Sequence, residues 1–372
     1  MDIERLVSNT IHLQGIPAPT FDEGPRADAL QTFLEVIPRI GIERDACGNL
    51  LARLEGNPGA PVIISAHLDS VFDQSTPLAS RREPGRIFGP GIGDNALGVA
   101  CLVELAHDFG RQSLPGDIWL VANVAEEGLG NLAGMREIVS RFGDLPSAYF
   151  VIEGMAFGHI YHRGLPIRRY RVVIEGQGGH AWVHAGRPAA IHALLRLGSR
   201  IERMRLPKKP KTTINIGSIQ GGSSINTISA RAQLELEVRS ESPLVLERID
   251  RTLHKICTTQ EPHEPLTVKI ELIGVRPAGE LPADHPLVQL AWETTRAHTD
   301  IEPRLEMAST DASLPLSKGY PAICLGITYG GNAHSQEEFI ETGMIEQGYT
   351  VLKEIVRTWM DQTANKTGRP GT

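Results

Sequence analysis

The sequence has few cysteines, few aromatic residues and no long apolar run. Its 372 residues include four cysteines and no C-x-x-C pair, which argues against a disulfide framework and against a thiolate zinc site. No run of about 18 apolar residues is present, and the opening MDIERLVSNT lacks the basic and then apolar order of a signal peptide. We therefore expect a cytoplasmic protein that does not enter a membrane, in which any metal is held by histidines and carboxylates.

Positive charge is also scarce. The formal net charge is -7, and the one dense basic cluster, Lys208, Lys209 and Lys211, lies beside two prolines. Nucleic acid binding needs a basic surface that neutralises phosphates, so we expect no nucleic acid partner. Hydrophobic residues make up 41% and charged residues 22% of the chain, the usual balance of a folded globular protein.

Apolar runs and amphipathic segments alternate in the N-terminal third. Apolar runs lie at 61–66, 117–125 and 149–152, with a helical pattern at 95–109. Such alternation is typical of βαβ units, which predicts an α/β fold with a mostly parallel sheet and helices on both faces. The carboxyl ends of parallel strands lie at one edge of the sheet, where functional residues collect.

The pattern changes near residue 165. The next 110 or so residues follow the order β-α-β-β-α-β, the ferredoxin-like arrangement, and helix and strand alternation returns after Pro277. We predict a catalytic domain formed by 1–165 and 277–372, interrupted by an inserted ferredoxin-like α+β domain at 166–276. A chain of this length also favours two domains.

Histidines and carboxylates are concentrated in short segments, most of them at predicted strand ends. Imidazole and carboxylate ligands on rigid strand ends suit two divalent cations that share one bridging carboxylate, and together they favour zinc. The segments are A-H-L-D with His67 and Asp69, G-I-G-D-N with Asp94, A-E-E-G with Glu126 and Glu127, V-I-E-G with Glu153, and G-G-N-A-H-S with His334.

Taken singly, most of these residues have a purely structural alternative. A histidine after a strand is commonly a hydrogen-bonded structural residue, and Asp94 or Asn95 could cap the following helix. The pair Glu126 and Glu127 is harder to explain without a cation, because adjacent buried carboxylates repel each other. No Lys or Arg lies between Gly116 and Arg136, which favours a bound metal over an ion pair with a distant arginine.

In order and placement these segments resemble the co-catalytic dizinc exopeptidases that include peptidase T, carboxypeptidase G, aminoacylase and acetylornithine deacetylase. The resemblance covers nearly the whole chain. It implies two zinc ions per subunit, with cobalt or manganese as possible substitutes. It also implies that His67 and Glu153 bind one ion, that Glu127 and His334 bind the other, and that Asp94 bridges them.

The same resemblance assigns the supporting roles. Glu126 is the general base, and Asp69 orients the imidazole of His67, as metal-binding histidines usually require. The segment S-T-D-A-S, with Thr310 and Asp311, resembles the G-T-D motif that supports the site from behind.

The inserted domain resembles the lid that this family uses for dimerisation, which implies a homodimer. His180, in G-Q-G-G-H-A, matches the histidine that reaches into the partner's site and polarises the scissile carbonyl. Asn226 and Arg239 match lid residues that grip a substrate carboxylate. The structural alternatives are that His180 is only a loop residue and that Arg239 is a solvated charge.

The predicted reaction is hydrolysis of an amide bond in a short peptide, by a peptidase T-like or carboxypeptidase G-like exopeptidase. The alternative substrate is an N-acyl amino acid, cleaved by a deacylase like acetylornithine deacetylase or aminoacylase. The motifs do not decide between these two substrate classes. Asn95 follows the bridging Asp where many family members have an acidic residue, and Glu153 stands where aminopeptidase-like members often have Asp.

Two other classes of function fit less well. The glycine-rich segments at 89–93 and 128–134 resemble nucleotide-binding loops, but the first places Asp94 where the third glycine belongs, and the second follows two glutamates that would repel a pyrophosphate. A catalytically inactive binding protein of the same fold would be expected to lose the base or the bridging residue. Both are present here.

Overall fold

The computed structural model describes residues 2–259 and 265–367. The chain divides into two compact units. Residues 1–164 and 278–372 form the first, here called the large unit, and residues 165–277 form the second, here called the inserted unit. No helix among the described residues is long and apolar enough to span a membrane.

The helices of the described residues are spread over both units, with α5 and α6 in the inserted unit. In chain order they are α1 (Ile3–Gln14), α2 (Gly24–Glu35), α3 (Leu97–Phe109), α4 (Ala133–Phe142), α5 (Ala190–Glu202), α6 (Pro243–Thr258), α7 (Pro286–His298), α8 (Ser313–Ser317) and α9 (Ile345–Thr367). Short helical turns of other types lie at 92–96, 128–130 and 342–344.

The strands form sheets within each unit. In chain order they are β1 (Ile40–Arg44), β2 (Leu50–Leu54), β3 (Val62–His67), β4 (Arg81–Glu83), β5 (Arg86–Phe88), β6 (Ile118–Asn123), β7 (Ala148–Glu153), β8 (His159–Gly164), β9 (Ile167–Glu175), β10 (Gly179–His180), β11 (Thr212–Gly221), β12 (Thr227–Ile228), β13 (Arg231–Ser240), β14 (Thr267–Arg276), β15 (Gly279–Glu280), β16 (Arg304–Ala308), β17 (Ala322–Gly326), β18 (Gly330–Gly331) and β19 (Phe339–Glu341).

The large unit is built around a sheet with the strand order β1-β2-β6-β3-β7-β17-β8-β15, with β16 beside β8. The central strands β6, β3, β7 and β17 run parallel, and antiparallel pairs flank them. Every residue of β3 and of β17 is buried, as expected of apolar strands covered on both faces. The predicted α/β fold with a mostly parallel central sheet is confirmed.

The parallel strands of the large unit bring their carboxyl ends to one edge. There β3 ends at His67 and β7 ends at Glu153, while β6 ends at Asn123, just before Glu126 and Glu127. His67 is directly opposite Asn123 in the register of β3 and β6. Residues far apart in the sequence therefore meet at this edge, because neighbouring parallel strands end together.

The inserted unit contains an antiparallel sheet with the order β11-β13-β9-β14. Helices α5 and α6 pack against this sheet. Along β13 every second residue is buried, from Ala232 to Ser240, because alternate side chains of a strand point to opposite faces. The chain order β9-α5-β11-β13-α6-β14 is the predicted ferredoxin-like arrangement.

Candidate metal centre

The predicted ligands lie in two groups that meet at Asp94. His67 Nε2 is 3.1 Å from Asp94 Oδ1 and 3.7 Å from Glu153 Oε2. His334 Nε2 is 3.1 Å from Asp94 Oδ2 and 3.1 Å from Glu127 Oε1. The two oxygens of Asp94 thus face different imidazoles, which is the arrangement that a carboxylate bridging two cations requires.

The charge at this edge is strongly negative. Burial alone would lower the pKa of His67, but the carboxyl groups of Asp69, Asp94 and Glu153 raise it well above its ordinary value. Hydrogen bonds to Asp94 and Glu127 raise the pKa of His334 to about 10. Neighbouring carboxyl groups thus raise the pKa of both imidazoles.

This donor set fits two divalent cations. Ligand atoms of His67, Asp94 and Glu127 all lie within 4.8 Å of one another. Across residues 2–259 and 265–367, the ion pairs of Asp94, Glu127 and Glu153 are with His67 and His334 alone, not with Lys or Arg. Imidazole and carboxylate donors are the types that zinc prefers when thiolates are absent.

We expect the thermal stabilisation by zinc to increase as the pH rises from about 6 to 9. The pKa of His334 is raised from 6.5 to about 10, so protonation stabilises the metal-free protein below 6.5, and this stabilisation is lost as the pH rises towards 10. Burial raises the pKa of Glu153 to about 7, so this group also makes the metal-free protein less stable as the pH rises. Zinc competes with fewer protons at high pH.

The measurement is the Tm at several pH values in this range, with zinc and with a chelator. A zinc-induced increase in Tm that is largest at pH 6 would contradict the expectation. The H334A variant is the control, because it lacks the imidazole with the pKa of about 10. Its zinc-induced shift should depend less on pH.

Asp69 fixes both His67 and the loop of the two glutamates. Its Oδ1 accepts a hydrogen bond from the N–H of Glu126 at 3.0 Å, and its Oδ2 accepts from the N–H of Glu127 at 2.9 Å and from Thr20 Oγ1 at 2.9 Å. Nδ1 of His67 is 3.0 Å from the backbone oxygen of Asp69 and 3.4 Å from Oδ1. The imidazole is therefore oriented mainly by the backbone carbonyl, while the carboxylate holds the glutamate loop.

A further buried acid, Glu23, supports the same loop. Its Oε1 accepts hydrogen bonds from the N–H groups of Ala125 at 3.0 Å and Phe21 at 2.9 Å. Ala125 has a φ of 55°, a left-handed conformation that a non-glycine residue adopts at a cost. Sequence reasoning missed Glu23, because its position before a proline-containing helix indicates only that a helix starts there.

The loop between β5 and α3 places Asp94. Asp94 and Asn95 have non-helical backbone angles, and α3 begins at Leu97 after an Ala96 N-cap that makes no side-chain cap bond. The structural alternative that Asp94 or Asn95 caps this helix is therefore wrong. The Asn95 side chain instead bonds to the end of β7, a contact that sequence reasoning did not anticipate.

Asp311 lies behind this edge of the sheet. It is fully buried, and its Oδ2 accepts a hydrogen bond of 2.7 Å from Asn123 Nδ2 at the end of β6. Thr310 is also buried. The S-T-D-A-S segment thus contacts the strand that leads into the glutamate loop.

The remaining predicted site residues belong to the inserted unit. His180 is exposed on β10, and its Nδ1 accepts hydrogen bonds from the N–H groups of Trp182 and Val183 at 3.2 and 3.3 Å. Asn226 is close to it, because the backbone oxygen of Asn226 accepts from the Ala181 N–H at 2.9 Å. Arg239, near the end of β13, pairs with Glu237.

Comparison with known proteins identifies the family. Residues 63–358 match the model of the peptidase family M20/M25/M40. The chain belongs to this family. It is therefore a metallohydrolase that acts on amide bonds, as predicted, and the matched residues include every candidate ligand from His67 to His334.

Individual relatives are more distant. An acetylornithine deacetylase from Klebsiella pneumoniae is 26% identical over 326 residues, which cover 83% of this chain and 82% of the relative. The structure of a tripeptidase from Staphylococcus aureus superposes with a TM-score of 0.79 at 21% identity, covering 97% of this chain and 100% of the other. A dinuclear metal binding peptidase from Bacillus subtilis gives a TM-score of 0.67 at 17% identity, with coverages of 96% and 98%. These structural matches show the shared fold.

Proposed function

We propose that this enzyme is a zinc-dependent exopeptidase that hydrolyses an amide bond in short peptides. The observation that carries the proposal is the position of Asp94, whose two oxygens each lie 3.1 Å from a different imidazole. One zinc ion would be held by His67, Asp94 and Glu153. The other would be held by Asp94, Glu127 and His334, with cobalt or manganese as possible substitutes.

Glu126 is the proposed general base. Bound divalent cations would polarise the scissile carbonyl and lower the pKa of the attacking water. Glu126 takes a proton from the attacking water as the new C–O bond forms, and it delivers that proton to the amine nitrogen as the C–N bond breaks. The position of Glu126 supports this role, since its backbone is fixed by Asp69 and it precedes Glu127, whose Oε1 faces His334.

The inserted unit is proposed to complete the site in a homodimer. In this proposal His180 of one subunit donates a hydrogen bond to the developing oxyanion in the other, and Asn226 and Arg239 bind a substrate carboxylate. The exposure of His180 and Asn226 supports a shared role, as does the 2.9 Å hydrogen bond from the N–H of Ala181, next to His180, to the backbone oxygen of Asn226. Arg239 already contacts Glu237, so binding a carboxylate would require it to leave or share that partner.

The second candidate function is deacylation of N-acyl amino acids. The match to an acetylornithine deacetylase over 83% of this chain favours it, whereas the match to a tripeptidase over 97% of the chain favours peptides. Both reactions break a C–N bond next to a carbonyl. The same metal centre and the same base would serve either one.

A substrate panel distinguishes the two candidates. We expect the zinc-loaded protein to release an amino acid from free tripeptides and dipeptides, and to act less on N-acetyl amino acids and N-acyl glutamates. The products identify which end is cleaved. Hydrolysis restricted to the acylated amino acids would support the deacylase instead, and absence of hydrolysis across the panel would contradict both.

The same panel tests the residues of the inserted unit. We expect H180A to lower kcat, because an oxyanion donor acts in the transition state, and N226A and R239A to raise KM for substrates with a free carboxylate. Substrates whose carboxylate is amidated serve as the control. Unchanged kinetics in all three variants would remove these residues from the site.

A further inference from the structure

The loop that carries Asp94 is held from one side by Glu338. This side chain is fully buried. Its Oε1 accepts hydrogen bonds from the N–H groups of Gly93 at 2.8 Å and Asp94 at 2.9 Å, and its Oε2 accepts from that of Gly91 at 3.2 Å. Glu338 follows His334 by four residues, so one short segment both supplies an imidazole and holds the backbone of the residue that this imidazole faces.

Asn95 holds the same loop from the other side. It is fully buried, and its Nδ2 donates a hydrogen bond of 2.7 Å to the backbone oxygen of Ile152. Its Oδ1 accepts one of 2.9 Å from the N–H of Gly154. These two backbone groups flank Glu153, so Asn95 joins the Asp94 loop to the end of β7. The carboxylate of Glu153 faces His67.

The Asp94 loop packs closely against the end of β7. A Cβ atom built on Gly154 would lie 2.4 Å from the backbone oxygen of Gly93, and one on Gly93 would lie 2.5 Å from the side chain of Met155. The loop and the end of β7 are thus in direct backbone contact. Metal-ligand distances tolerate errors of only about 0.2 Å, so the position of Asp94 depends on the groups that hold its loop.

We infer that Glu338 and Asn95 are positioning residues. By holding the Asp94 loop, they place the two oxygens of Asp94 so that each would bind a different cation. Glu338 acts mainly on the cation of Glu127 and His334, because it joins the Asp94 loop to the His334 segment. Asn95 acts mainly on the cation of His67 and Glu153, because it joins the loop to β7. This inference rests on the metal centre of the proposed function.

The first test is E338Q, which keeps the shape of the side chain but turns an amide N–H towards backbone N–H groups. We expect one zinc ion to bind about 10- to 100-fold more weakly, the usual effect of removing a group that orients a ligand, and the other to bind normally. E337Q is the matched control, because the Glu337 side chain is 72% exposed and its ion-pair partner within the described part of the chain is Arg81, at the surface. Zinc affinities are measured by competition with a chelator.

Combined variants identify which cation is affected. Adding H334A to E338Q should leave one tightly bound zinc ion, because both changes act on the same cation, whereas adding H67A should leave none. N95A should give the opposite pattern, with one tight ion after combination with H67A and none after combination with H334A. N57A is its control, since Asn57 is exposed and bonds weakly to Ser113.

A purely structural role for these residues gives a different result. It would lower the Tm of the metal-free and zinc-loaded proteins equally and leave both zinc affinities unchanged, which would overturn the inference. Weakening of the same cation by E338Q and N95A would overturn it as well. Should E338Q not fold, E338D retains the charge and should show the same selective weakening. Failure of the unaltered protein to bind zinc would instead contradict the proposed metal centre.

Discussion

Replacing Glu126 by Ala should reduce kcat by about 100- to 10,000-fold, the usual contribution of a general base, while two zinc ions remain bound. The zinc ions should stay because the proposed ligands, among them Glu127, Asp94 and His334, keep their positions. The backbone N–H of residue 126 still reaches Asp69 in the variant, since that bond does not involve the side chain. The measurements are kcat on the best substrate of the panel and zinc content per subunit.

The control is E137A, which removes an exposed glutamate from α4. It should have normal activity and normal zinc content. A near-normal rate in E126A would show that another group accepts the proton of the attacking water. Loss of zinc together with activity would show that Glu126 is a ligand and not only a base.

Replacing Asp94 by Asn should remove activity and reduce the zinc content from two ions to at most one. The change keeps the shape of the side chain and removes the negative charge shared by both cations. Removing a group that merely orients a ligand costs about 10- to 100-fold in metal affinity, so loss of a ligand common to two cations should cost more. Each of the two histidines would also lose its carboxylate neighbour at 3.1 Å.

Zinc content and chelator competition again give the measurement, with D144N as the control because Asp144 is exposed in the turn after α4. In the metal-free state D94N should also lower the pKa of His334, whose pKa is raised first by its hydrogen bond to Asp94. NMR titration of the imidazole resonances would show this change. Two tightly bound zinc ions in D94N would contradict the bridging role.

The types of residue at the candidate metal centre could be predicted from the sequence, because each stands at a recognisable place in a pattern. His67 ends an apolar run that is buried throughout as β3, and Glu153 ends the next parallel strand of this kind, β7. A buried apolar run predicts a strand, and parallel strands end at one edge. The ferredoxin-like unit could also be predicted from residue periodicity, because apolar and polar residues alternate along its strands and each of its helices has one apolar face.

The residues that hold the loops could not be predicted in this way. Glu337 and Glu338 are chemically identical neighbours, yet one side chain is 72% exposed and the other is fully buried against Gly93 and Asp94. Partners some 245 positions apart in the chain leave no local pattern. The same holds for Glu23 beneath Ala125.

The sequence by itself therefore determined which imidazole and carboxylate side chains are the candidate ligands, and the order of the helices and strands, because both depend on residue type and short-range periodicity. Only the tertiary structure decided that the two oxygens of Asp94 face different imidazoles. It also decided that the carboxylate of Asp69 holds the glutamate loop, while its backbone oxygen faces His67. Those features depend on hydrogen bonds between distant loops, whose geometry is fixed only when the strands have assembled.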